Sequence, residues 1–233
     1  MSKEIKPVLC VLTSNNVKGK SGQPTGYWLS ELTEALKFLE KSGLQYALAS
    51  VKGGEPPADP MSLSDEELKK PANVHFSTDE MFQHALKNTI CIDDVDSSKY
   101  AAVFFPGGHG TMWDFSDSNG VQRVIREIYE AGGVVSAVCH GPSSLVNATL
   151  SDGSYLVAGK NVAAFTNSEE AAVQATNIVP FLLETALKNH GALHHAAPDW
   201  AKNVIVDGRL VTGQNPASAE GVGEEVAKII LNK

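Results

Sequence analysis

Short apolar runs alternate along this chain with segments of helical period, and that alternation limits the fold more than any other feature. Val8 to Thr13, Tyr46 to Val51, Ala101 to Phe105 and Val134 to Val138 read as strands. Helices are predicted from about Thr25 to Lys41, Gly120 to Ala131 and Ala217 to Leu231. Strands joined through helices run parallel, and a parallel sheet needs helices over both faces. The expectation is a flavodoxin-like α/β three-layer sandwich with a mostly parallel central sheet. With 233 residues and 42% hydrophobic content, one sizeable core is available, so a single domain over 1–233 is expected. Segment 52–98 breaks the pattern with Gly53-Gly54, Pro56-Pro57, Pro60 and Pro71, and reads as an insertion holding two short polar helices. One of these is expected to start at Ser77, with Glu80 completing a capping box.

The second half is less regular. A helix is expected from Cys139 to about Asn147, then short strands near Leu156 and from Val162 to Phe165. A long helical stretch follows from Glu169 to Asn189, interrupted at Pro180 and ended by Gly191. Ala192 to His195, Val204 to Val206 and Leu210 to Thr212 read as short strands, the last two joined by a hairpin turn at Asp207-Gly208.

Within this frame, Val134-Val135-Ser136-Ala137-Val138 ends abruptly in Cys139-His140-Gly141-Pro142. A strand that stops at a nucleophilic side chain and turns into a helix is how an α/β protein builds a nucleophile elbow above its sheet edge. The first amides of the following helix then favour thiolate over thiol, and Pro142 suits a first helical turn. Cys139 therefore reads as a reactive thiol and His140 as a possible proton partner. Cys10 differs: it lies inside an apolar strand and reads as a small core hydrophobe.

Loops at the carboxyl ends of parallel strands converge on one edge, where ligands bind in open α/β sheets. That edge is expected to gather the loop from Thr13, the Gly107-Gly108-His109-Gly110 turn, Cys139-His140 and the turn after Phe165. The Gly-rich turn lacks the Walker lysine and the spaced glycines of a dinucleotide fingerprint. Its amides suit an oxyanion on Cys139, with Gly108 and His140 as donors; a turn that merely needs positive φ is the plainer reading. Glu169 and Glu170 both offer a carboxylate to orient His140, although a helix start attracts acids in any case. Glu31 stands at the margin of an apolar stripe formed by Trp28, Leu29, Leu32, Leu36 and Leu39, and reads as a solvated-face residue.

Composition narrows the function classes. A net charge of -8 without any Lys/Arg cluster argues against nucleic acid and anionic membrane surfaces. Three scattered cysteines form neither a disulfide framework nor a zinc spacing, and the odd count suits a reducing compartment. No apolar leader or span of about 18 residues stands out, so a cytoplasmic protein is expected. No metal or other cofactor is expected: His194, His195 and Asp199 could be drawn as a metal site, but adjacent strand histidines face opposite ways.

The combined motifs are Leu12-Thr13-Ser14, Thr25-Gly26 with Glu31, Phe105-Pro106-Gly107-Gly108-His109-Gly110-Thr111, Trp113-Asp114, Ala137 to Pro142, Phe165-Thr166 and Gly208 to Ser218. With them the chain resembles the PfpI superfamily, which has a class I glutamine amidotransferase-like fold. Within it, the chain is similar to the glutathione-independent glyoxalases (glyoxalase III, also called D-lactate dehydratase), whose members are also described as stress chaperones and protein deglycases. The resemblance implies Cys139 as nucleophile, His140 as its acid/base partner, Glu170 as the orienting acid, and Glu31 in contact with the thiol. It also implies a 2-oxoaldehyde substrate such as methylglyoxal, no cofactor, and a homodimer. An amidotransferase of this fold carries a distant His-x-Glu pair, which is missing from this sequence. A cysteine peptidase, and a holding chaperone or redox sensor using Cys139, stand as the competing readings.

Overall fold

The computed structural model describes residues 5–232. Nine strands occur among these residues: β1 (Val8–Leu12), β2 (Tyr46–Ser50), β3 (Ile90–Cys91), β4 (Ala102–Phe105), β5 (Val134–Val138), β6 (Asn161–Val162), β7 (Leu193–His194), β8 (Val204–Asp207) and β9 (Leu210–Gly213). Seven form the central sheet, in the order β3-β2-β1-β4-β5-β9-β8, and all neighbours are parallel except the β8–β9 hairpin. A separate two-stranded parallel sheet joins β6 and β7. The α-helices are α1 (Leu29–Lys41), α2 (Asp65–Leu68), α3 (Pro71–Ser77), α4 (Glu80–Lys87), α5 (Thr111–Asp114), α6 (Asn119–Glu130), α7 (Asn167–Ala172), α8 (Leu183–Asn189) and α9 (Ala219–Leu231).

Burial follows from this layering. Every residue of β1, β4, β5 and β9 is buried, as continuous apolar runs covered on two faces must be. The edge strands β3 and β8 are only partly covered. Helices α1 and α9 pack on each other, and α9 also packs on β5 and β9; α6 packs on β4 and β5. The expected mostly parallel α/β sheet flanked by helices is therefore present.

Several element boundaries differ from expectation, each for a local reason. Helix α1 starts at Leu29 rather than Thr25, because Tyr27 and Trp28 are extended and donate their N–H groups to the carbonyls of Pro57 (2.9 Å) and Gly107 (3.0 Å). Ser77 ends α3 rather than starting a helix. Asp79 caps α4 instead, its carboxylate accepting from the Met81 and Phe82 amides. The stretch from Glu169 to Asn189 splits into α7 and α8, since Gln174 takes a left-handed φ of 57° and Pro180 follows. Near Leu156 only an isolated bridge between Thr149 and Tyr155 forms. Segment 52–98 holds α2, α3 and α4 and also supplies the edge strand β3.

The helix expected after Cys139 is a short 3-10 turn, Gly141–Leu145. Its Gly-Pro-Ser-Ser sequence has poor helix propensity, and Ser143 Oγ donates to the Thr111 carbonyl at 3.0 Å. The turn lies so close to β4 that a Cβ on Gly141 would stand 2.0 Å from the Phe105 carbonyl oxygen. Only glycine lets the chain leave the elbow in this direction.

Candidate active site

At the carboxyl end of β5 the backbone turns at Cys139 with φ 60°, a left-handed conformation that a side chain with a Cβ adopts only under constraint. Two backbone bonds hold it: the Cys139 N–H donates to the Gly213 carbonyl (3.0 Å), and its own carbonyl accepts from the Phe165 N–H (2.9 Å). The strand-end elbow is thus formed.

Adjacency in sequence leaves open where His140 points; here it faces the thiol. His140 Nδ1 stands 3.4 Å from Cys139 Sγ, and Nε2 stands 2.8 Å from Glu170 Oε2. The imidazole is buried between the rings of His109 (4.1 Å) and Phe165 (4.2 Å). Burial raises the Glu170 pKa, but the charge of His140 and the hydrogen bonds from both imidazoles outweigh it and hold the carboxyl well below its ordinary range. An ionised Glu170 accepts the Nε2–H of His140, which leaves Nδ1 with a lone pair toward the thiol.

The choice between the two glutamates is decided by their partners. Glu170 reaches the imidazoles, while Glu169 turns the other way and is fully buried. Glu169 closes a capping box with Thr166 and accepts from the Trp200 N–H (2.8 Å) and from the side-chain amides of Asn215 (2.8 Å) and Gln214 (3.2 Å). It clamps three loops. Glu169→Ala leaves several buried donors unpaired, and the expected cost is about 3 kcal/mol or more in urea unfolding; a change below about 1 kcal/mol would contradict this role.

Glu31 departs from the solvated-face reading. It is fully buried in the first turn of α1, and its Oε2 accepts the Gly107 N–H at 2.6 Å. Its Oε1 is buried with no well-formed hydrogen bond, and the side chain acting on the carboxyl is the Cys139 thiol. Burial pushes Glu31 up to about 8, so the carboxyl is largely protonated at neutral pH. The solvated-face reading failed because α1 is read there as a lone amphipathic helix. In the fold, its first turn abuts the 107–108 loop, and the loop covers the polar margin.

The thiol itself also differs from expectation. A helix dipole was to favour thiolate, yet the following helix is only a 3-10 turn. Burial, followed by the Glu31 charge, raises the Cys139 pKa well above its ordinary value. The amides of His140 and Gly108 act in the opposite direction, hydrogen-bonding to the sulfur. When Glu31 is protonated its repulsion of the thiolate vanishes, so proton transfer between the two groups sets the sulfur's charge. The plainer reading of Gly108 is met, since φ is +98° and a Cβ would lie 2.3 Å from the Gly26 carbonyl oxygen; its amide hydrogen-bonds to the sulfur.

His109, part of the Gly-rich turn in the sequence but given no role there, joins the site. Its Nε2 stands 2.8 Å from Glu170 Oε1, and burial together with neighbouring His140 pushes it down to about 4. A neutral His109 donates to Glu170, so one carboxylate anchors two imidazoles. The ligand atoms of His109, His140 and Glu170 lie within 4.8 Å of one another, and hydrogen bonding accounts for that grouping. The residues weighed as a metal set stand apart: His195 meets Asn161, His194 faces the Ala164 carbonyl, and Asp199 accepts from Ser168. Cys10 is buried, and burial raises its thiol as well, as a core residue requires.

Above the thiol lies a cavity of about 370 Å³, whose walls include Trp28, Met61, His109, Phe165, Val173 and Trp200. A buried thiol, an imidazole–carboxylate pair, a protonated carboxyl and two sulfur-directed amides at a sheet edge define an α/β protein with a cysteine-centred site. The chain belongs to the DJ-1/PfpI family, whose model matches residues 25–229. It is 33% identical to the glutathione-independent glyoxalase HSP31 of Saccharomyces cerevisiae, over 92% of this chain and 93% of that protein. Among solved structures it matches glyoxalase III from Candida albicans with a TM-score of 0.88 and 31% identity, covering 96% of this chain and 97% of that one. It also matches Rapid Encystment Protein 24 KDa of Francisella tularensis with a TM-score of 0.93 and 36% identity, covering 97% and 99% of the two chains.

Proposed function

We propose that this protein is a glutathione-independent glyoxalase that converts methylglyoxal and related 2-oxoaldehydes to 2-hydroxy acids through Cys139. The observation that carries the reading is that His140 Nδ1 and the buried Glu31 carboxyl face the Cys139 sulfur while Glu170 holds the far nitrogen of His140, in a chain whose relatives bear that name.

In this mechanism His140 Nδ1 takes the thiol proton, and the sulfur adds to the aldehyde carbon C1. The carbonyl electron pair moves to oxygen, which the Gly108 and His140 amides stabilise, and Glu31 delivers a proton to it. Glu31, now a carboxylate, removes the C1 proton while His140 passes the former thiol proton to the C2 carbonyl oxygen, giving an enediol. Glu31 returns its proton to C2 and His140 takes the C1 hydroxyl proton, which leaves a 2-hydroxyacyl thioester. Water attacks the thioester, the C–S bond breaks, and lactate leaves with Cys139 restored. C1 is oxidised and C2 reduced within one molecule, so the balance needs water alone and no external oxidant.

Incubation with methylglyoxal in the absence of glutathione should yield lactate stoichiometrically, at a rate that added glutathione does not raise. No lactate above the uncatalysed background would overturn the glyoxalase reading. Cys139 is only 4% exposed and burial raises its thiol, which weighs against a peroxide sensor, since such cysteines are exposed thiolates. The same reading carries with it a single domain over 1–233, a homodimer and a cytoplasmic site of action. No helix among the described residues is long and apolar enough to cross a membrane.

A further inference from the structure

Three non-glycine residues among those described have left-handed backbones: Cys139, Gln174 and Trp200. Cys139 is the elbow. Gln174 follows the C-cap of α7, where a left-handed residue commonly closes a helix. Trp200 has no such account. It is the third residue of the turn Pro198–Ala201, which the Ala201 N–H closes on the Pro198 carbonyl at 3.1 Å, and its φ is 66°. A turn with positive φ at that position takes glycine or asparagine, and a tryptophan there costs on the order of 1 kcal/mol. The Trp200 N–H is fixed by the buried carboxylate of Glu169. The strain is therefore imposed from outside the turn, and strain held in place at a site points to a use of the side chain.

Its use is visible in where the indole stands. The ring lies edge-on to Phe165 (centroids 5.7 Å apart, 63°), and Phe165 packs on the His140 imidazole. Trp200 thus connects the mouth of the cavity to its catalytic floor. It is 48% exposed, and Met61 (67%) and Val173 (42%) expose apolar surface in the same walls, with Trp28 also lining the cavity. A volume of about 370 Å³ falls within the range that encloses a drug-sized molecule. Methylglyoxal, with one methyl substituent, leaves most of that space and the whole apolar rim unused.

Resting on the glyoxalase reading, we infer that Trp200, with Met61 and Val173, is a specificity-determining residue that receives an aromatic substituent on the 2-oxoaldehyde. Edge and face packing on Phe165 and Trp200 favours a planar ring over a flexible aliphatic chain. The Cys139 chemistry is unchanged: phenylglyoxal plus water gives mandelate by the same internal oxidation at C1 and reduction at C2.

The test compares kcat/KM for phenylglyoxal and methylglyoxal. The ratio is expected to exceed about tenfold in the wild type and to fall about tenfold in Trp200→Gly, which relieves the strain and should leave Tm unchanged or raised. Met61→Asn, at an exposed position, should lower the same ratio by about threefold and serves if the glycine variant folds poorly. A wild-type ratio near one, or an unchanged ratio in both variants with methylglyoxal still converted, overturns the inference alone. No turnover of either aldehyde overturns the glyoxalase reading itself.

Discussion

Replacement of Cys139 by alanine is expected to lower lactate formation from methylglyoxal by about three orders of magnitude or more, to near the uncatalysed rate. Every covalent step depends on this sulfur, and Cys10, sealed inside β1, offers no substitute. Folding should survive, since alanine removes only the sulfur and accepts the same backbone bonds to Gly213 and Phe165. Lactate quantified over time, alongside circular dichroism of both proteins, measures this. A variant that keeps a tenth or more of the wild-type rate would rule out the thiol mechanism.

Glu31→Gln is expected to act in opposite directions on activity and stability. A glutamine can still accept the Gly107 N–H, but it cannot deliver or take a proton, and kcat should drop by about 10²- to 10³-fold. The wild-type rate should itself decline as pH rises through about 8, where Glu31 loses its proton. Stability follows from the same shift. The folded pKa of about 8 lies above the ordinary value of 4.5, so between these pH values the unfolded chain releases a proton that the folded protein keeps. Stability from this group is full below about 4.5 and falls as pH rises toward 8, by a total of roughly 3–5 kcal/mol. Glutamine lacks that ionisation. At pH 8 the variant should therefore be more stable than the wild type by a few kcal/mol, with a higher urea midpoint, and the difference should shrink toward pH 5. Equal urea midpoints for the two proteins at both pH values would contradict the buried, protonated state of Glu31.

The activity–stability opposition at Glu31 also shows what a linear reading can and cannot see. The elbow was legible because it is local: an apolar strand, a cysteine at its end and a Gly-Pro exit all lie within nine residues, Val134 to Pro142. The topology was legible because period and chain order constrain parallel sheets. Resemblance added Glu31 and chose Glu170 over Glu169. Left unread were the role of His109, the clamp built by Glu169 and the strained turn at Trp200, because each depends on loops that meet only in space. Glu169 joins positions 166, 200, 214 and 215, and sequence spacing carries no signal for such a convergence.

The sequence by itself determined a mostly parallel α/β sheet and a cysteine raised at the end of a central strand, since backbone periodicity and turn chemistry are properties of short segments. Tertiary structure alone decided the ionisation of that cysteine's surroundings. It buried Glu31 under the 107–108 loop, turned His140 toward the sulfur, and set Glu170 between two imidazoles. Proton affinity depends on desolvation and on charges a few ångströms away, and both are fixed only when distant segments pack together.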